Sequence, residues 1–218
     1  MKNLITLMLS CVLPLALAAC DSGPAPSPPR QAAENVDAAR TSQEASAVAM
    51  PAQDKGEAVK ALIVYYSWSG NIRLMAEEIQ RQTGADIFEL LPVVPYSDDY
   101  DTAVNTATQE RRANARPAFS GGVDNFADYG VVYIGYPNWW ADMPMILYTF
   151  FDSYDLSGKI IAPFCTSGGS GFSDTIAAIK GLEPGATVLD GLHLEDSSGL
   201  ENPGKAVTDW LNGLDIGK

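Results

Sequence analysis

The stretch Ala61-Leu62-Ile63-Val64-Tyr65-Tyr66-Ser67-Trp68-Ser69-Gly70-Asn71 joins a continuous apolar run to a short turn of hydroxyl residues and glycine. The run is rich in β-branched and aromatic residues, which is typical of a strand buried on both faces of a sheet. A helical pattern follows over residues 71–82, and Gly84 ends it. Its apolar residues recur at helical spacing on one face: Ile72, Met75, Ala76 and Ile79. The sequence therefore predicts a strand that leads directly into an amphipathic helix.

The same alternation of strand and helix continues along the chain. Further strands are predicted at residues 86–91, 131–135, 159–164 and 187–194. Helices are predicted at residues 100–114, 145–154, 174–182 and 204–214. Strands that alternate with helices indicate βαβ units and a parallel sheet. We therefore expect one α/β domain over residues 58–218, a doubly wound five-stranded parallel sheet with helices on both faces.

The first 20 residues have the pattern of an export signal. Lys2 supplies a positive charge, and the apolar run 4–18 is too short to span a bilayer comfortably. The tetrapeptide Leu17-Ala18-Ala19-Cys20 resembles the cleavage motif of bacterial lipoproteins, which implies a lipid on Cys20. An ordinary secretory signal is the alternative interpretation.

Residues 21–57 are rich in proline, alanine, serine and glutamine and hold few large apolar side chains. Such a segment cannot bury enough apolar surface to fold, so we expect a flexible tether. Its mean reach would be on the order of 35 Å. The expected location is the bacterial cell envelope, with the domain lipid-anchored at the periplasmic or extracytoplasmic face.

Charge and metal-binding residues exclude several classes of function. The formal net charge is −13, which argues against a nucleic-acid partner and favours partners with a basic docking face. His193 is the only histidine, and no cluster has metal-ligand spacing, so neither a zinc site nor a histidine-dependent triad is expected. Cys165 is the only cysteine after residue 20 and lies in an apolar run, which predicts a buried thiol.

Three segments at the ends of predicted strands carry the candidate site, because ligands of open parallel sheets bind outside the carboxyl ends of the strands. The first is Ser67-Trp68-Ser69-Gly70-Asn71, where hydroxyl groups, a glycine and a helix N-terminus form an anion site. The alternative is that Ser67 or Ser69 only caps the helix.

The second and third segments follow the next two strands of the predicted sheet. Gly135-Tyr136-Pro137-Asn138-Trp139-Trp140 places two indoles on one loop, as a stacking platform for a planar ring or as a cover over the core. Thr166-Ser167-Gly168-Gly169-Ser170-Gly171-Phe172 offers backbone N–H and C=O groups to the edge of a ligand, or is only a solvent-exposed loop.

Together these segments resemble the flavodoxin family, in particular the flavodoxin-like branch of bacterial lipoproteins and secreted proteins. The matching segments are residues 62–71, 95–100, 135–140 with Pro144, and 158–171, so that the resemblance spans residues 60–214. It implies the strand order 2-1-3-4-5 and FMN as the cofactor.

The resemblance also implies which residues bind FMN. The phosphate would lie against Ser67, Trp68, Ser69, Gly70, Asn71 and Ile72. The ring would be flanked by Pro137, Asn138 and Trp139 or Trp140, and its polar edge approached by Thr166, Ser167, Gly168, Gly169 and Gly171. The family often has threonine where this chain has Ile72, and the loss of one hydrogen bond would weaken FMN binding about tenfold. Arg73 is the candidate that would compensate.

The resulting expectation is an electron carrier, because the flavin carries the redox reaction and the protein tunes it. Its partners would be a redox protein or a small-molecule electron donor or acceptor. The alternatives are an NAD(P)H- or quinone-dependent FMN oxidoreductase on the same fold, and a flavin-free envelope scaffold. A phosphoacceptor signalling domain is disfavoured, because it needs an aspartate where Gly135 and Tyr136 stand.

Overall fold

A computed structural model describes residues 59–196, 200 and 202–216. The predicted export signal, the lipidated Cys20 and the tether at 21–57 lie outside the described residues. Within the described part, no helix combines the length and apolar character needed to cross a membrane.

Strands and helices alternate along the chain as the sequence predicts. The elements are β1 (Ala61–Tyr65), α1 (Asn71–Thr83), β2 (Asp86–Glu89), α2 (Tyr100–Arg112), a 3-10 turn (Phe126–Asp128), β3 (Val131–Pro137), α3 (Met145–Ser153), β4 (Ile160–Ser167), α4 (Thr175–Leu182), β5 (Thr187–Val188), β6 (Leu192–Glu195) and α5 (Gly204–Gly213).

All strand pairs of the sheet are parallel, in the order β2-β1-β3-β4-β5, and β6 also pairs with β4. The predicted doubly wound class and the order 2-1-3-4-5 are therefore confirmed. The chain enters at β1, winds outward to β2 and then returns to the other side of β1 as β3. The crevice of such a sheet lies at this reversal, outside the carboxyl ends of β1 and β3.

The prediction of one continuous fifth strand over 187–194 is wrong, because the outer strand is broken into β5 and β6. Leu189 N donates to Ile161 O at 2.9 Å, and the next ladder bond on this side would need an N–H from Pro163. Proline has none, so pairing stops there. The register shifts by one residue, from Ile161↔Val188 to Phe164↔Leu192, which is a bulge in the outer strand.

Two apolar layers cover the sheet, one on each face. Side chains of β1 alternate between them, with Leu62 and Val64 facing α3 and α4, and Ile63 and Tyr65 facing α1 and α5. The predicted buried face of α1 is confirmed. Cys165 is fully buried, as predicted, and burial raises the pKa of its thiol to about 12.

Gly135 of β3 allows α1 to lie close to the sheet. A Cβ at this position would lie 2.2 Å from Phe164 Cζ and 2.9 Å from Ile72 Cγ2. The Phe164 ring and the first turn of α1 therefore occupy the space that a side chain would fill. This packing fixes the N-terminus of α1 beside the carboxyl ends of β1 and β3.

Candidate functional site

The three segments predicted from the sequence meet at one edge of the sheet. Backbone hydrogen bonds extend the ladders past the strand ends and join the segments: Tyr66 N to Gly135 O at 3.0 Å, Asn138 N to Thr166 O at 2.8 Å, and Asp196 N to Ser167 O at 2.9 Å. The site is therefore built on the rigid ends of four parallel strands.

The N-terminus of α1 presents backbone donors at this edge. Gly70 precedes the helix with φ +92°, a left-handed conformation that favours glycine. Ser67 Oγ accepts from Gly70 N at 3.1 Å and from Arg73 N at 3.3 Å, so Ser67 caps the helix. Among the described residues, Asn71 N and Ile72 N meet no acceptor. These donors lie at the positive end of the helix dipole, which attracts anions.

The side chains around this N-terminus differ in whether they are exposed and in whether another residue already binds them. Ser69 is exposed, whereas Ile72 is buried at 1% exposure. Asn71 Nδ2 donates to Asp196 Oδ1 at 3.0 Å. Arg73 Nη2 lies 2.5 Å from Glu89 Oε1, so its guanidinium is held by β2 and not by the helix N-terminus. Of these neighbours, Asp196 was not identified from the sequence.

Trp139 and Trp140 occupy different environments although they are adjacent. The Trp139 ring packs edge-on against Tyr66 at 5.7 Å and against Tyr96 at 5.5 Å between centroids. Trp140 is 43% exposed at the tip of the loop. Of the two sequence interpretations, core cover therefore describes Trp139, and an accessible aromatic surface describes Trp140.

The Trp68 indole packs against the same apolar cluster as Tyr66, Tyr96 and Trp139, and not at the helix N-terminus. These four side chains form an aromatic wall. Its Nε1 donates to Ser97 O at 3.1 Å, and its ring centroid lies 6.1 Å from that of Tyr100. The indole therefore leans on the loop between β2 and α2. That loop and the first residue of α2 form the segment 95–100, one of those over which the sequence resembles the flavodoxin family.

Asn138 ties the loop after β3 to the loop after β4. Its Nδ2 donates to Gly171 O at 2.7 Å and lies 3.0 Å from Ser173 Oγ and 3.3 Å from Ser170 Oγ. Its Oδ1 is buried and has no partner among the described residues. Pro137, at the end of β3, is half-buried beside it. The amide therefore fixes the relative position of the two loops.

The hydroxyl groups at the end of β4 are buried, whereas the glycines that follow are exposed. Thr166 and Ser167 are buried, while Gly168 and Gly169 are exposed. Ser167 Oγ accepts from Gly169 N at 3.3 Å and Gly171 N at 3.0 Å and lies 2.8 Å from His193 Nε2. The glycines thus present backbone, with open space at every Cβ position.

A half-buried carboxyl group, that of Glu110, supports Tyr96. The Tyr96 hydroxyl donates to Glu110 of α2, and burial raises the pKa of both groups above their ordinary values. A carboxyl whose pKa is raised on folding contributes stability at low pH that is lost as the pH rises through its folded pKa. The fold therefore favours the protonated form of Glu110 over the ionised form.

We expect Glu110→Gln to keep the bond from Tyr96 and to remove the cost of ionisation. The variant should match the wild type in melting temperature at pH 4 and equal or exceed it at pH 7, as measured by circular dichroism. A lower melting temperature than wild type at pH 7 alone would show that the ionised form stabilises the fold.

A second cleft, of about 840 Å³, lies at the opposite edge of the sheet, at the amino ends of the strands. Its polar groups are already engaged. Lys159 Nζ donates to Tyr129 O at 2.5 Å and to Ala127 O at 3.2 Å, and Lys60 Nζ lies 3.1 Å from Asp86 Oδ2. The lysines that line this cleft are therefore committed to contacts within the fold.

The fold and the site define a doubly wound α/β protein with its ligand site at the switch point of the sheet. The chain belongs to the flavodoxin family, whose model, described as Flavodoxin, matches residues 60–214. No protein of curated function matches the chain.

Solved structures agree with this family. A candidate flavoprotein from Bacteroides eggerthii is 31% identical, with 70% of this chain and 96% of that chain covered and a TM-score of 0.62. A second, from Bacteroides uniformis, is 28% identical, with 72% and 99% covered and a TM-score of 0.63. A flavoprotein from Lactobacillus acidophilus, solved in complex with FMN, is 25% identical, with 66% and 97% covered and a TM-score of 0.56.

Proposed function

We propose that this protein binds FMN at the carboxyl edge of its sheet and serves as an electron carrier on the outer side of a bacterial membrane. The observation that supports the cofactor most directly is the N-terminus of α1. There, backbone donors that meet no acceptor among the described residues lie at the switch point of a flavodoxin-family domain. The FMN complex of the Lactobacillus acidophilus relative supports the same ligand.

The residues at the helix N-terminus fit a phosphate. Asn71 N, Ile72 N and the exposed Ser69 hydroxyl would hold it, and the helix dipole would favour its charge without a lysine or arginine. Gly70 leaves the approach open, because no atom lies within 4 Å of its Cβ position. The Asp196 carboxylate accepts a hydrogen bond from the Asn71 amide, which places a negative charge near the helix N-terminus. This charge would repel the phosphate.

The remaining two segments fit a planar ring with a polar edge. Trp140 supplies an accessible aromatic surface, and the exposed backbone at Gly168 and Gly169 supplies N–H and C=O groups. When bound, FMN supplies the electron-accepting chemistry. The protein residues bind and orient the ring and limit the access of water to it.

The two tryptophans are expected to respond differently to truncation. Trp140→Leu should weaken FMN binding about three- to tenfold through loss of ring contact, with an unchanged melting temperature. Trp139→Leu should lower the free energy of unfolding by about 2–4 kcal/mol, because its ring fills the space between Tyr66 and Tyr96. Thermal melts and FMN titrations of both variants test this. If Trp139→Leu weakens FMN binding and Trp140→Leu does not, Trp139 is the residue that contacts the ring.

In the proposed arrangement the partner is a redox protein with a basic face, which the net charge of −13 would attract.

The location rests on the N-terminal sequence, where Cys20 would carry lipid and residues 21–57 would hold the domain away from the membrane. Fractionation of bacteria expressing the full chain tests the anchor. The wild type should partition with membranes, and Cys20→Ser should be released into the soluble envelope fraction.

Electron transfer is tested by reductive titration of the FMN-loaded chain, combined with steady-state assays. A carrier should take up electrons in two resolved one-electron steps and show negligible turnover with NADH, NADPH or quinones. A single two-electron step together with sustained turnover would instead support the oxidoreductase on the same fold.

A further inference from the structure

We infer that Asp142 is a positioning residue, which holds the turn 139–142 so that Trp140 faces the ligand site. The expected effect of Asp142 on FMN affinity rests on the proposed function. The geometry of the turn and its anchors can be tested without FMN.

The turn has a backbone conformation that its residues do not favour. Trp139 N donates to Asp142 O at 2.9 Å, and Asp142 N donates to Trp139 O at 3.1 Å, which closes a two-residue turn. The two central residues, Trp140 and Ala141, have φ values of +53° and +65°. Turns of this kind favour Asn-Gly, because a Cβ disfavours the left-handed region. Such a conformation persists only where the surroundings impose it.

The Asp142 carboxylate provides this restraint. Its Oδ1 accepts from Met143 N at 2.7 Å and from the Tyr148 hydroxyl of α3 at 2.7 Å. Its Oδ2 lies 3.8 Å from Arg111 Nε of α2. Burial and the neighbouring Asp142 raise the pKa of Tyr148, which keeps the phenol protonated as a donor. One carboxylate therefore connects the last residue of the turn to two helices.

Other contacts hold the tip of the turn weakly. Trp140 is 43% exposed, and its ring meets Trp139 edge-on at 6.2 Å between centroids. The Ala141 carbonyl accepts one long bond, from Asp174 N at 3.4 Å. The direction of the Trp140 ring therefore depends on the backbone of the turn, and this backbone depends on Asp142.

The test compares Asp142→Ala with Asp142→Asn, whose side-chain oxygen can still accept from Met143 and Tyr148. Asp152→Ala is the matched control. Asp152 lies in α3 and, like Asp142, pairs with an arginine, in its case Arg116, but it does not belong to the turn. Each protein is labelled with 5-fluorotryptophan, and the Trp140 resonance is assigned by its loss in Trp140→Phe. Fluorine NMR without FMN then reports the environment of Trp140, and fluorescence titration reports FMN affinity.

We expect Asp142→Ala to shift and narrow the Trp140 resonance toward that of a freely rotating indole and to weaken FMN binding about tenfold. Asp142→Asn and Asp152→Ala should keep the wild-type resonance and affinity within about threefold. If Asp142→Ala does not fold, Tyr148→Phe removes one of the two bonds to Oδ1 and should cause a smaller shift in the same direction.

An unchanged Trp140 resonance in Asp142→Ala, or in Tyr148→Phe where that variant replaces it, would overturn the inference. A shifted resonance with unchanged FMN affinity would also overturn it, because the turn would then have no consequence for the ligand. If the wild type itself does not bind FMN, the proposed function fails, and the resonance alone decides whether Asp142 fixes the turn.

Discussion

Ser69→Asp is expected to weaken FMN binding on the order of a hundredfold while the fold stays as stable as the wild type or becomes slightly more stable. Ser69 is exposed beside the N–H groups of Asn71 and Ile72, which meet no acceptor among the described residues. A carboxylate there would interact favourably with the helix N-terminus, by about 0.3–1 kcal/mol. The same carboxylate would repel the phosphate of FMN.

The size of this effect follows from the two charges. Unit charges 4 Å apart near a protein surface interact by about 4 kcal/mol, and exposure and salt reduce this to about 2–3 kcal/mol. Ser69→Asn is the matched control, because it has nearly the same shape and no charge. Fluorescence titrations and thermal melts of both variants measure the effect. If Ser69→Asn weakens FMN binding as much as Ser69→Asp does, the phosphate does not lie beside residue 69.

Gly135→Ala is expected to lower the free energy of unfolding by about 1–3 kcal/mol through overpacking. The added Cβ would lie 2.2 Å from the Phe164 ring and 2.9 Å from Ile72, both of which are fixed in the core. For a domain of this size, each kcal/mol corresponds to a decrease in melting temperature of about 2–4 °C.

Gly168→Ala is the control for this variant, since no atom lies within 4 Å of its Cβ position. Its melting temperature should stay within about 1 °C of the wild type, as expected for a surface substitution. If Gly135→Ala melts at the wild-type temperature, Phe164 can move away, and the close approach of α1 to the sheet does not require glycine.

The fold could be predicted from the sequence because its periodicities are local and strong. The apolar residues of α1 recur every three to four positions, and they are the ones that the structure buries. The interruption of the outer strand could not be predicted in the same way. It depends on which side of β4 faces β5, and only the register shows that the missing N–H of Pro163 falls on that side.

The segments of the site could also be predicted, since each follows a strand directly, but the roles of single residues within them could not. Trp139 and Trp140 are neighbours of the same type, and contacts with the distant Tyr66 and Tyr96 separate them. Arg73 was the candidate to compensate for Ile72, yet Glu89 on the adjacent strand binds it. Such long-range pairs leave no signal in the local pattern.

Two acidic residues were missed for a related reason. Asp142 and Asp196 belong to no motif, and their importance comes from what the fold brings to them: Tyr148 in one case and the Asn71 amide in the other. The position of Asp196 at the carboxyl end of the last predicted strand was the one signal that could have indicated it, because ligands bind at such ends.

The central claim is that the N-terminus of α1 binds the phosphate of FMN. It is tested most directly by titrating the purified full chain with FMN and, in parallel, with riboflavin, which has the same ring and no phosphate. The account predicts saturable fluorescence quenching with FMN at an affinity at least about tenfold higher than with riboflavin, from charge-assisted bonds to the phosphate. Equal affinity for the two flavins, or no binding of either, would contradict it.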